Sequence, residues 1–316
     1  MNSYFLPVGL LLAFLVAWID PDPGAALQQM GLIPWVIVTI FLINGYQIDL
    51  KKLPRGRSVL TASVVAILIS LLISPFIGLA AVSALSLPAG AALGLVVMAT
   101  VPPTLSSGIV MTGIAGGNVA KALFLTILLN LVGVFTIPYM LHFTLESVGI
   151  ISISPLPLLK QLILVVLIPF LVGMWLKSVI RVPSRHWVLR YLPSSCVIAT
   201  VWMSVSTSVD TLKSVDLQLL LFIAVGALVV HGALLILCWL VRYLYQPARG
   251  EWLALLFTAS QKTLPVAIGV LAALNQPIGL AVVVCIVFHF LQLFIDSMIA
   301  SRMGRESRGE KSAVAS

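Results

Sequence analysis

The chain has 316 residues, 60% hydrophobic and only 9% charged, with a mean hydropathy of +1.15 and a formal net charge of +8. A composition this apolar excludes an ordinary soluble domain; where no water is present to take up backbone polar groups, it calls for spanning helices. The basic residues alternate with apolar runs instead of gathering on one polar region, so they speak of membrane orientation and exclude a nucleic-acid partner.

A span needs ~20 residues, and ten apolar runs are read at 4–19, 32–47, 59–82, 90–115, 119–141, 156–176, 193–210, 217–241, 252–274 and 278–300. The first run lacks a basic leader, and Ile19-Asp20-Pro21-Asp22-Pro23 is no small-residue cleavage site, so it reads as a span and not as a signal peptide. Loops after odd-numbered spans are nearly free of Lys and Arg, with only Lys160 and Lys213 in or near them. Loops after even-numbered spans carry Lys51, Lys52, Arg55 and Arg57, then Lys121, then Lys177, Arg181, Arg185 and Arg190, then Arg242 and Arg249. With Arg302, Arg305, Arg308 and Lys311 of the tail, fifteen of the eighteen basic residues fall on one side. By the positive-inside rule both termini are cytoplasmic in a plasma (inner) membrane, which requires an even number of spans. The tail, 301–316, is polar, without aromatics, and is expected to be disordered. Cys196, Cys238 and Cys285 sit singly in apolar runs with no CxxC spacing, and read as packing residues without a disulfide or metal site.

Two spans are interrupted. In span nine, Ser260-Gln261-Lys262-Thr263-Leu264-Pro265 puts a lysine at mid-membrane depth, where a charge costs ~2.5–3.5 kcal/mol, and sets beside it a proline that breaks the helix. In span four the interruption is Pro102-Pro103-Thr104-Leu105-Ser106-Ser107. An offset of 157 residues lays 102–108 on 259–265, and the tight link Gly116-Gly117-Asn118 on Ala273-Leu274-Asn275. Five spans per half make this an inverted repeat, 1–149 and 150–300. A pair of interrupted spans at matching places in two such halves is the sequence pointer to a transporter site. The expected fold is therefore all-α integral membrane, ten helices in an inverted 5+5 repeat, with crossed discontinuous helices in spans 4 and 9. Broken here, they set half-helix N-termini, Thr104, Ser106, Ser107, Ser260 and Thr263 around the midplane.

Val101-Pro102-Pro103-Thr104-Leu105-Ser106-Ser107-Gly108, with Met111-Thr112, Gly116-Gly117-Asn118 and Gln261-Lys262-Thr263-Leu264, resembles the bile acid:sodium symporter superfamily. It is most similar to the SBF-like branch, which includes the orphan seventh member of the human bile-acid carrier family. The resemblance, from about Ile33 to Arg302, implies a core domain (spans 3–5 and 8–10) and a panel domain (spans 1, 2, 6 and 7) that moves against it. It also implies that Asn44, Gln47 and Ser206 face a substrate cavity between the two. Sodium-coupled relatives carry Thr-x-Ser-Asn in span four; here Ser107 replaces the asparagine. Ala122 replaces one hydroxyl of their fifth span while Thr126 keeps another, and Phe257 stands where they have an acidic ligand. No metal ligand is assigned, and what the resemblance leaves open is Na⁺ at Ser106, Ser107, Thr126 and Gln261.

Several residues have plain structural readings. Lys262 reads equally as a pin of the crossing, a stand-in for a bound cation, an attractor of anions or a proton carrier. His231 and His289, inside apolar spans, read as hydrogen-bond partners of neighbouring helices. Asn130 and Gln292 read as interhelical amides, Asp296 as an interfacial residue paired with the basic tail, and Ser204, Ser206, Thr207 and Ser208 as cavity lining or tight packing. The basic clusters would also meet anionic lipid headgroups. There is no H-E-x-x-H, G-x-S-x-G or Walker loop, and a Ser106/Ser107–Lys262 dyad lacks any oxyanion feature, so no enzyme is expected. The expected function is secondary active transport of a small organic anion by alternating access, with no resident cofactor and Na⁺ or H⁺ as coupling ion. The alternatives are a proton-coupled or uniport carrier in which Lys262 replaces the bound cation, and a non-transporting membrane regulator on the same fold.

Overall fold

The computed structural model describes residues 5–48, 54, 56–147, 149, 153–180, 186–274 and 279–315, and every regular element among them is helical. The orienting residues Lys51, Lys52, Arg55, Arg181 and Arg185 and the link 275–277 lie outside the described residues, as do the side chains of Arg190, Arg308 and Lys311.

The first span is α1 (Phe5–Ile19), followed by a short α2 (Asp22–Gln29) bent 100° away from it. Residues 20–31 are thus not a simple loop: Pro23 suits a first helical turn and Asp22 complements its positive end. Next come α3 (Leu32–Gln47), then α4 (Arg57–Ile67) and α5 (Ser74–Leu85), which form one span through the π-helical turn Leu68–Ile73. The expected fourth span is divided into α6 (Ala89–Thr100) and α7 (Ser107–Ile114), and the long helix α8 (Val119–Ser147) follows.

Next come α9 (Pro155–Leu162) and α10 (Ile168–Val179), again joined by a π turn, Ile163–Leu167. There follow α11 (Trp187–Ser206), the short α12 (Val209–Ser214) and α13 (Leu217–Tyr245). The expected ninth span is divided into α14 (Arg249–Ala259) and α15 (Leu264–Ala273), and α16 (Gly279–Ala315) follows. Among the described residues, six helices are long and apolar enough to cross a bilayer, or up to seven if the bent pair counts as one span.

The tail expected to be disordered continues α16 as helix to Ala315. Its start is tied down: Arg249 Nη2 donates to Met303 O at 2.8 Å, and a Cβ on Gly304 would lie 2.3 Å from Ile114 O. Arg302 and Glu306, one turn apart at 3.9 Å, add a weak exposed pair.

Close backbone approach binds the helices. A Cβ on Gly45 would lie 2.1 Å from Phe170 O and one on Gly173 2.0 Å from Leu42 O, so α3 and α10 touch backbone to backbone. Helices α6, α14 and α15 are buried on all sides, as helices apolar all round must be. The interruptions therefore lie inside protein, where irregular backbone at membrane depth is tolerated.

Candidate functional site

Breaking two helices frees backbone groups that lipid cannot satisfy, and at both breaks side chains and the opposite interruption take up several of them. At the first, Ser74 Oγ donates to Ala99 O at 2.6 Å, Thr263 N–H to Pro102 O at 2.9 Å, and Asn130 Nδ2 to Pro103 O at 3.0 Å. At the second, Ser260 Oγ donates to Leu256 O at 2.6 Å. Gln292 clasps the Lys262 backbone from both sides: its Oε1 accepts from Lys262 N–H at 2.9 Å and its Nε2 donates to Lys262 O at 2.6 Å. The Thr263–Pro102 bond joins the two interruptions directly.

They meet in side chains too. Thr104 and Gln261, which the 157-residue offset makes counterparts, lie 3.4 Å apart at Oγ1 and Oε1. Ser107 Oγ donates to the same Gln261 Oε1 at 2.6 Å and touches Thr104 Oγ1, and Thr104 Oγ1 accepts from Ser107 N–H at 3.1 Å. Gly108, the next residue, lets α7 start against α14: a Cβ there would lie 2.8 Å from Phe257 O.

Beside this junction is a cavity of about 490 Å³. Thr104, Ser106, Ser107 and Thr263 form one wall, and Asn44 and Gln47 of α3 stand on another. Gln47 is held by its Nε2 donating to Leu189 O at 2.7 Å. No carboxylate lines the cavity among the described residues.

Lys262 does not line it. The side chain is fully buried, and Nζ donates to Ser70 O at 2.6 Å, with Ser70 Oγ at 3.4 Å. The reason lies in the π turn of the third span. Ser74 N–H bonds Ile69 O, five residues back, and the next position is Pro75, which has no N–H. Ser70 O loses its helical donor, and the lysine supplies one. No ion pair of Lys262 occurs among the described residues.

Asp296 is not interfacial. It is fully buried, with Oδ1 3.0 Å from His231 Nε2 and Oδ2 accepting from Gln261 Nε2 at 2.6 Å. The physical reason is depth: α16 passes the second interruption there, and the Gln261 amide needs an acceptor. His289, on the same helix, reaches the cavity wall, and its Nδ1 lies 3.1 Å from the Nε2 of Gln292.

A profile of the SBF-like CPA transporter family matches residues 4–305. The chain belongs to this family. Its relatives include a probable sodium/metabolite cotransporter BASS4, chloroplastic, of Oryza sativa subsp. indica, 28% identical over 322 residues covering 95% of this chain and 75% of that protein. The corresponding Arabidopsis thaliana protein is 26% identical, with 97% and 74% covered. Sodium/bile acid cotransporter 7 of Mus musculus is 21% identical, with 92% and 90% covered. This SBF-like protein is thus a membrane transporter and not an enzyme.

Of the residues singled out in the SBF-like chain, Thr104, Ser106, Ser107, Thr263, Asn44 and Gln47 come together at the cavity, with Gln261 behind the hydroxyls. Pro102, Pro103 and Pro265 lie in or beside the breaks. Ser260 and Lys262 point away from the cavity, and Thr126 Oγ1 is buried without a hydrogen-bond partner among the described residues. Ser206 packs at α2, where a Cβ on Gly24 would lie 2.2 Å from its Oγ.

Gln261 Oε1 is already taken by the Ser107 hydroxyl, and the oxygens around it are neutral. We assign none of Ser106, Ser107, Thr126 and Gln261 as metal ligands. Sequence reasoning passed over Ser70, and it took His289, Gln292 and Asp296 one at a time. Spaced three and four apart, these last three mark a polar stripe on one face of an apolar helix, the signal that would have grouped them.

Proposed function

We propose that the protein is a secondary active transporter of a small organic anion, working by alternating access around the junction of its two interrupted spans. The observation that carries this reading is the cavity: it opens where the breaks meet, Thr104, Ser106, Ser107 and Thr263 wall it there, and no carboxylate lines it among the described residues. The N-termini of α7 and α15 start at Ser107 and Leu264, at that same place. Each brings about half a positive charge, which favours an anion.

Contact between Thr104 and its counterpart Gln261 supports ten spans in an inverted 5+5 repeat. A cavity bounded by α1, α3 and α11 on one side and by the breaks and α8 on the other supports panel and core parts that move against each other. The charge pattern supports cytoplasmic termini in a plasma membrane. Relatives named as sodium/metabolite and sodium/bile acid cotransporters support a small-molecule substrate and make Na⁺ the first coupling ion to test. The buried Lys262 Nζ on Ser70 O favours the second reading, a carrier in which Lys262 takes the place of a bound cation.

Uptake by liposomes holding the purified protein separates these readings. Pyruvate and taurocholate serve as anion probes, with Na⁺ or choline outside. Uptake abolished by Thr104→Val with Ser107→Val supports the cavity as the path. Uptake that ignores Na⁺ favours the Lys262 reading. Absence of uptake for a broad anion panel, with a folded protein, favours a regulator on this fold.

A further inference from the structure

We propose that His231 and Asp296 form a proton-binding site through which the carrier couples to H⁺, an inference that rests on the transport reading above. The two side chains are 1% and 0% exposed and belong to different spans, α13 and α16. Their contacts limit where protons lie. His231 Nδ1 is 3.3 Å from Ser260 O, and a carbonyl oxygen can only accept, so this contact is a hydrogen bond only with a hydrogen on Nδ1. The other ring nitrogen, Nε2, lies 3.0 Å from Asp296 Oδ1. That contact needs a hydrogen of its own, either on Nε2 facing a carboxylate or on Oδ1 facing a bare nitrogen. Both assignments make the pair neutral overall, and both give it one proton more than a neutral imidazole beside a carboxylate would have.

Removing that proton leaves one ring hydrogen for two contacts, so either Nδ1 faces Ser260 O bare at 3.3 Å or Nε2 faces Asp296 Oδ1 bare at 3.0 Å, and a full negative charge is left out of reach of water. One of the two ring contacts is then lost. The pair therefore has two arrangements, and the proton chooses between them.

The site is wired to the cavity. Asp296 Oδ2 accepts from Gln261 Nε2 at 2.6 Å, and Gln261 Oε1 accepts from Ser107 Oγ at 2.6 Å on the cavity wall. One amide separates the carboxylate from the place where an anion would sit. The other titratable groups at hand are Lys262, turned toward Ser70, His289 and Cys285 on α16, and Cys238, two turns beyond His231 on α13. Helices α6, α7 and α15, also packed on α16, bring none. Helices α11 and α12 bring Arg190, whose side chain lies outside the described residues, and Tyr191, Cys196, Asp210 and Lys213, of which Asp210 and Lys213 are exposed; α14, packed on α13, brings Arg249 and Glu251 in its first turn. With the proton bound, the pair adds no net charge behind the cavity; without it, the pair adds one negative charge. The sign is fixed: proton and anion favour each other's binding, as in symport. Such couplings change affinity by ~5–150-fold, and the change is reciprocal.

The test is a pH titration of the purified full-length protein in lipid by infrared difference spectroscopy, with Asp296→Asn, His231→Gln and the double variant alongside. The expected result is a carboxyl or imidazole proton signal in the wild type that all three variants lose. The same signal in wild type and variants overturns the proposal. Spectra of wild type with ¹⁵N-labelled histidine require no variant to fold. The two buried rings are told apart by tautomer, because Gln292 Nε2 can only donate and so leaves His289 Nδ1 bare. A buried Nδ1-protonated ring that never changes state while the protein stays folded overturns the proposal as well. In vesicles with a trapped pH dye, added pyruvate or taurocholate should drive proton entry in wild type and fail to do so in Asp296→Asn. Proton entry undiminished in that variant again overturns the coupling. Silence with both anions in the wild type counts against the transport reading alone, because the titration decides the proton site by itself.

Discussion

Gln292 shows how much one amide can hold. It provides both partners of the Lys262 backbone at a point where neither helix half can, and an orphaned buried polar group costs ~1–3 kcal/mol. Gln292→Leu orphans a donor and an acceptor together, whereas Asn130→Leu orphans Pro103 O. Thermal melting of the purified variants should place Gln292→Leu clearly below Asn130→Leu, and the reverse order would contradict this account of the second break. Lys262→Met removes an amino group that has no ion-pair partner among the described residues, but it also removes the donor to Ser70 O. Orphaning that one carbonyl costs ~1–3 kcal/mol, and relief of the cost of keeping an amino group buried without an ion-pair partner offsets part of it. Lys262→Met should therefore fold, and melt above Gln292→Leu.

Among the helices, glycine marks where backbones must touch. Gly108 sits at the start of α7, and a Cβ there would strike the backbone carbonyl of Phe257, which cannot swing aside as a side chain can. Overpacking of this kind costs ~1–3 kcal/mol, so Gly108→Val should lower the melting temperature and uptake together, by forcing α7 off α14. Gly232, on α13, meets nothing within 4 Å and serves as the contrast. Gly232→Ala gains up to ~1 kcal/mol of helix propensity and should melt at or above wild type. The π turn in the third span belongs to the same scale: Pro75 removes the donor for Ser70 O, and the lysine that replaces it comes from another interrupted span.

For the molecule as a whole, the cavity and the core differ in access. Cys196, Cys238 and Cys285 are buried, while Ser106 is exposed on the cavity wall. A hydrophilic maleimide should leave the folded wild type unlabelled and react with Ser106→Cys, read by mass. An anion that binds in the cavity should slow that reaction. Rapid labelling of the native cysteines before unfolding would mean that the helices pack less tightly than described.

Apolar run lengths, the two proline-bearing interruptions and their 157-residue spacing are written in the chain. They were legible because hydrophobicity and proline geometry act locally, over a turn or two of helix. The likeness between the two breaks, and the hydroxyls that wall the cavity, could be named for the same reason. The direction in which Lys262 points could not, since the acceptor it meets is a backbone carbonyl 192 residues away, freed by a π turn. Nor could the depth of Asp296, because a charge near the end of an apolar run looks interfacial until another span brings an amide and an imidazole to it. Residue types fixed what each break needs, and only tertiary packing decided which distant group supplies it.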